Sequence, residues 1–278
     1  PSSAPSSASS SAVPPASSSI PAEAPGPPAP RSALYALAQA WYATLTTTGG
    51  SSGGNSGRTC GRSSGGGEAD DLEISHLLRA FELSATVVGG AIGAVMAPSI
   101  KNDNGNLAAL CKASTKFSTA RVRELLAAEL ATGVHKLGGS STTLRDPSAA
   151  LSVVWLRRSL ALQTAIIDGL VADWQAGKQL TMSAIVTQAY TDELERYHNW
   201  MLRGTMKVAF NAAPSKEVVV RNLAGSTPLS NEGDRCNLLF GDLSKVVEAQ
   251  QAVLKAMAKP LVELDLDRTA RCDPISRR

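Results

Sequence analysis

Ser148–Trp174, SAALSVVWLRRSLALQTAIIDGLVADW, is a long run that is apolar over most of its length and reads as a helix. Asp146-Pro147 just ahead supplies a start signal, since proline is tolerated at a helix entrance and not in its interior. A helix this apolar must be covered by neighbours, and helical patterns recur on both sides of it. Leu72–Phe81 (LEISHLLRAF) reads as an amphipathic helix, and Ala120–Leu137 (ARVRELLAAELATGVHKL) alternates apolar and charged positions at three-to-four spacing. Downstream, Thr181–Phe210 holds two helical stretches, and Pro214 and Ser215 begin a segment that runs through Leu223. Asn231–Gly233 marks a loop, and Asp242–Leu264 is a further amphipathic helix. Convincing strands are absent, and Asn104-Gly105 is flanked by helix-like sequence where a hairpin would need alternating runs. Seven or eight helices in roughly 200 residues predict an all-α domain of helices packed on helices.

Outside that region the composition changes. Residues 1–67 hold nine of the 15 prolines and ten of the 23 glycines, with only Glu23, Arg31, Arg58 and Arg62 charged. Such a stretch buries too little apolar surface to offset its ordering entropy, so 1–67 is expected to be disordered. Arg31–Leu45 (RSALYALAQAWYATL) has the period of a short amphipathic helix within it. The expected organisation is a Ser/Pro/Ala/Gly-rich segment 1–67, a folded domain 68–270 and a tail 271–278. The Ser-rich, acid-poor segment has some features of a transit peptide, so organelle targeting stays open beside a cytoplasmic setting.

Charge and residue type exclude several functions. The net charge is +3, of which the N-terminal segment supplies +2, so the folded part has no strongly basic nucleic-acid footprint. Cys60, Cys111, Cys236 and Cys272 form no CxxC pair, and His76, His135 and His198 are the only histidines. Neither a disulfide framework nor a metal site is expected, and no cofactor is implied. Leu83–Ile100 (LSATVVGGAIGAVMAPSI) carries no charge over 18 residues, close to the length of a membrane span. Its three glycines, two serines, threonine and proline favour a buried helix with a small-residue packing surface. No glycine-rich phosphate loop, Rossmann fingerprint or GxSxG elbow is present, so an enzyme is not expected.

Three clusters remain, each placed within a predicted helix. Asn102 and Asn106, in KNDNGNL, are four apart and share a helix face where two carboxamides could meet a polar ligand. Alternatively, this cluster merely caps or breaks the helix. In Val154-Trp155-Leu156-Arg157-Arg158 an indole adjoins two guanidinium groups, suited to stacking on a ligand and binding its oxygens, or to a core tryptophan with snorkelling arginines. Tyr197-His198-Asn199-Trp200 is open to the same two readings.

In this order and spacing, NGN, WLRR and YHNW resemble the glycolipid transfer protein family, with LEISHLLRAFEL similar to its opening helix. The resemblance extends over about residues 70–265. It implies a two-layer helical sandwich of about eight helices, a monomer that carries one sphingolipid between membranes without breaking a bond. Ceramide chains would enter an apolar sleeve, and the headgroup would sit at a surface site. By the same resemblance Trp155 would stack on the first sugar, Asn106 would bond its hydroxyls, His198 would donate to the ceramide amide carbonyl, and Trp200 would anchor at the membrane surface.

Two positions depart from the family motif D-x-x-x-N-x-x-K, since Asn102 and Ala109 stand at its first and last places. Asn102 keeps hydrogen bonding without charge, and Ala109 keeps neither. A branch of the family carries ceramide-1-phosphate, for which Arg157 and Arg158 would be the phosphate ligands. Trp155 favours the sugar branch. A lipid-sensing interaction module without transfer activity is the third reading.

Overall fold

The computed structural model describes residues 32–46, 71–137, 143–225 and 232–267. Helix α1 (Ala33–Ala43) opens on Ser32, whose hydroxyl accepts from the Tyr35 amide at 3.0 Å and also donates to Asp242. Leu34, Leu37, Ala38 and Trp41 fall on one stripe and are buried, with Trp41 edge-on to Phe81 at 5.1 Å. α1 is therefore part of the core and packs on two later helices, α2 (Ile74–Ser84) and α10 (Glu232–Glu263). This corrects the boundary expected at residue 68, because a folded element lies before it. Residues 1–31 and 47–67 of that segment, and the tail 271–278, lie outside the described residues.

After α1, strand β1 (Leu45–Thr46) pairs antiparallel with β2 (Asp71–Leu72), setting Leu45 opposite Leu72. The Asp71 carboxylate accepts from the Leu72 and Arg123 amides at 2.8 and 2.9 Å, fastening this ribbon to the start of α5 (Val122–Leu130).

The single helix expected over Leu83–Ile100 is broken. A π-helical turn (Ala85–Gly89), a short helix α3 (Gly90–Ile92) and a 3₁₀ turn (Gly93–Met96) precede α4 (Ala97–Phe117). Glycine weakens a helix, and Gly93 adopts φ +79°, where a side chain would be strained. At Gly89 the chain passes so near Ile100 that a Cβ would lie 2.6 Å from its Cδ1. The small residues thus serve close packing, with Val88, Ala91, Ile92, Val95 and Met96 buried.

The helix expected over Ala120–Leu137 stops at Leu130, and Gly133 takes φ +69° in the turn beyond. Glu129 then reaches forward to accept from the Ala149 and Ala150 amides at 2.8 and 2.9 Å. Those amides are orphan donors in the first turn of α6 (Ala149–Gln175), so Glu129 and the N-cap Ser148 together satisfy its entrance. Seventeen of the 27 residues of α6 are buried, which places it at the centre. It packs against α4, α7 (Met182–Glu193) and α10. α8 (Trp200–Phe210) and α9 (Lys216–Ala224) complete the chain before α10, which begins ten residues earlier than the expected Asp242. The architecture is all-α, two helical layers sharing one core.

Candidate functional site

α6 presents Trp155 half-buried, with its indole stacked on the His198 ring at 6.2 Å and 26°. The sequence reading put His198 inside a helix. Instead α7 ends at Glu193, a 3₁₀ turn covers Glu195–Tyr197, and His198 is extended at φ −101°, ψ 143°. Asn199 then caps α8, its side chain accepting from the Leu202 amide at 2.9 Å. An Asn at this point offers its own oxygen to the helix start, which ends the preceding turn and frees the histidine from helical geometry.

The environment of His198 sets its proton. The hydroxyl of fully buried Tyr190 lies 2.9 Å from Nδ1, and Tyr190 is held by Phe210 at 5.1 Å. Burial raises the Tyr190 pKa, so the hydroxyl keeps its proton at neutral pH. Burial, reinforced by the Arg203 charge, lowers the His198 pKa, so the imidazole is neutral. In the tautomer in which Tyr190 donates to Nδ1, the ring proton resides on Nε2 and is available as a hydrogen-bond donor.

Arg158 spans the same cluster, 3.7 Å above the Tyr197 ring and 5.0 Å from that of Trp155, and it pairs with Asp267 at 3.1 Å. Arg157 is only 6% exposed. Burial lowers its pKa, while Asp267, Tyr197 and Glu193 favour its charge and Arg158 opposes it. Asp267, beyond α10, thus acts on both guanidinium groups, and Glu193 at the end of α7 on that of Arg157.

One turn before Trp155, Leu151 and Ser152 line a cavity of about 480 Å³ with Lys101, Asn102, Asn106 and Ala109 of α4. The two asparagines do share this face, with Asn102 exposed and Asn106 half-buried. Asp103, three residues from Asn106, also neighbours it on the helix. The Ser159 hydroxyl donates to Asp103 Oδ2 at 2.6 Å and lies 2.9 Å from Ser99 Oγ. Asp103 Oδ1 and Asn106 Nδ2 are both buried without a hydrogen-bond partner. Burial pushes the Asp103 pKa up to about 7, against the pull of Ser159 and Asn102. Sequence reasoning missed Lys101, though it supplies a cation to a cavity whose family lysine is Ala109. Only its place one residue ahead of the asparagines pointed to it.

Trp200 opens α8 two residues after His198 and is 80% exposed, with Met201 at 63% and Val208 at 72% on the same helix. The arrangement is an aromatic and amide-lined surface suited to binding a polar group without reacting with it. The fold is that of an all-α protein of two helical layers.

The comparisons with known proteins carry the assignment further. The profile of the family described as "Glycolipid transfer protein (GLTP)" matches residues 72–225, more than half of the chain. The chain belongs to the glycolipid transfer protein family. Canine pleckstrin homology domain-containing family A member 8 is 29% identical over 137 residues, covering 48% of this chain and 23% of that protein. Glycolipid transfer protein A of Xenopus laevis is 28% identical over 86 residues, covering 30% of this chain and 41% of that protein. The chain thus spans less than half the length of these relatives. Among solved structures, the apo form of mouse ceramide-1-phosphate transfer protein superposes with a TM-score of 0.64 at 17% identity, covering 87% of this chain and 99% of the other. FAPP2, described as selecting simple glycosphingolipids using the GLTP fold, superposes at 0.59 with 20% identity, covering 71% and 88%. These structural likenesses establish the fold.

Proposed function

We propose that this protein is an intermembrane carrier of a single sphingolipid, and that the headgroup is a sugar. The observation that carries the reading is the pairing of a half-exposed Trp155 indole with a neutral His198 whose Nε2–H points to no protein acceptor among the described contacts. Indole faces stack on the apolar faces of sugars, and an imidazole N–H suits an amide carbonyl. Asn102 and Asn106 would bond sugar hydroxyls from the adjoining cavity. Asp103 Oδ1, which lacks a partner, would accept from the ligand in place of the family's missing aspartate.

Ceramide chains would lie between the layers, where burial returns roughly 0.8 kcal/mol per CH₂. The broken helix around Gly89, Gly90 and Gly93 is the place where helices would part. Exposed Trp200, Met201 and Val208 would rest on the membrane during exchange, from a cytoplasmic setting and as a monomer. No chemical step is needed for such a cycle.

Ceramide-1-phosphate is the second reading, favoured by the two arginines beside Trp155. The Asp267 carboxylate 3.1 Å from Arg158 weighs against it, because a phosphate would have to displace an ion pair already made. The deciding measurement is vesicle-to-vesicle transfer of labelled galactosylceramide and labelled ceramide-1-phosphate. Transfer of the sugar lipid, reduced at least roughly tenfold by Trp155→Ala with helicity unchanged, supports the carrier reading. Transfer of the phosphate lipid alone would replace the sugar by a phosphate at Arg157 and Arg158. No transfer of either by folded protein would favour a lipid-sensing interaction module.

A further inference from the structure

The far end of α6 carries a second cavity, of about 610 Å³. Trp155 and Trp174 lie nineteen residues apart on this helix, which at 1.5 Å per residue is about 28 Å along its axis. The cavity is therefore remote from the headgroup surface. Its floor is aromatic, with Trp174 and Phe240 stacked at 4.4 Å between centroids and 5° from parallel. Phe240 is 5% exposed and Trp174 41% exposed, so the phenyl is the covered ring and the indole stays open. An open indole clamped in one orientation is preorganised to receive another flat ring.

The walls are cationic. Asp173 is consumed by Lys216, which donates from Nζ at 2.6 Å, and by the Leu180 amide at 3.0 Å. Lys178, Arg221 and Arg235 then face Glu217 across the cavity. That leaves an excess of about two positive charges, or about one after the half charges at the C-terminal ends of α6 and α9 are counted. Arg221 and Arg235 both line the cavity, so their guanidinium groups offer it charged donors.

We propose that this cavity binds a small planar aromatic anion, its ring on Trp174 and its anionic group between Arg221 and Arg235. The volume lies within the roughly 300–1,000 Å³ of small-ligand pockets. Ring plus anion is the chemistry of a nucleotide and of an aromatic sulfonate or carboxylate alike.

The test is calorimetric titration of the full chain with ATP and with naphthalene-1-sulfonate, using adenosine, naphthalene and tripolyphosphate as half-ligands. At least one whole ligand is expected to bind at least about tenfold more tightly than its halves, and which one binds identifies the source. Trp174→Ala and Arg221→Gln should each weaken binding by roughly the same factor. Arg221 is exposed, so its variant keeps the test valid if loss of the indole cover over Phe240 unfolds the other. Absence of binding by both whole ligands, half-ligands binding as tightly as whole ones, or affinity unchanged in Arg221→Gln would overturn the proposal. Galactosylceramide transfer is measured on the same variants and should be unchanged in Arg221→Gln. Failure of transfer in the native chain with ATP binding intact would count against the carrier reading alone.

Discussion

At the scale of single residues, the titrating groups around α4 and α6 make opposite demands on pH. Asp103, pushed up to about 7 from an ordinary value of 3.8, is protonated in the folded chain over a range where the unfolded carboxyl is ionised. The folded state then holds the extra proton, so stability falls as pH rises from about 4 to 7. Asp103→Asn, which keeps an acceptor for Ser159, should remove that fall and raise stability at pH 8 by about 1–3 kcal/mol, or about 2–4 °C per kcal/mol for a chain of this size. Melting temperature against pH checks it, and an unchanged profile would exclude the buried titration. His198 works the other way, since its lowered pKa makes protonation unfavourable in the folded state and removes stability as pH drops below about 6.5. His198→Leu should lower galactosylceramide uptake and cost about 1 kcal/mol from the lost Tyr190 bond. A loss several times larger would make His198 a packing residue first.

Helix α1 is the element whose role the composition concealed. It lies in a segment dominated by Ser, Pro, Ala and Gly, and composition averaged over 67 residues hides eleven that pack. What marked it was its own period, with Leu34, Leu37, Ala38 and Trp41 on one face. Trp41 is fully buried against Phe81, so Trp41→Ala should destabilise the domain by about 3–5 kcal/mol. Chemical denaturation measures this, and a change within about 0.5 kcal/mol would return α1 to the status of a peripheral segment. The other helix boundaries moved for local reasons. Glycine broke the Leu83–Ile100 run, and Asn199 broke the helix expected through His198.

Across the whole molecule, α8 exposes apolar side chains at Trp200, Met201 and Val208, beginning two residues after His198. Trp200→Ala should reduce binding to anionic or neutral vesicles and slow transfer by roughly tenfold, with the melting temperature nearly unchanged because the residue is 80% exposed. Vesicle flotation and the transfer assay check both halves, and equal binding by the variant would exclude α8 as the contact face. The helical class and the long apolar run of α6 were legible in the chain itself, because periodicity is local in sequence, whereas the stacking of Trp155 on His198, 43 residues away, was not. Three things were decided only by tertiary packing. The partnering of Arg157 and Arg158 depends on Asp267, more than a hundred residues away. The raised pKa of Asp103 arises from its burial, which outweighs the hydrogen bond from Ser159 and which its sequence neighbours do not reveal. The cavity at Trp174 exists because α9 and α10 converge on the end of α6. Period and motif report on neighbours along the chain, whereas desolvation and charge pairing depend on neighbours in space.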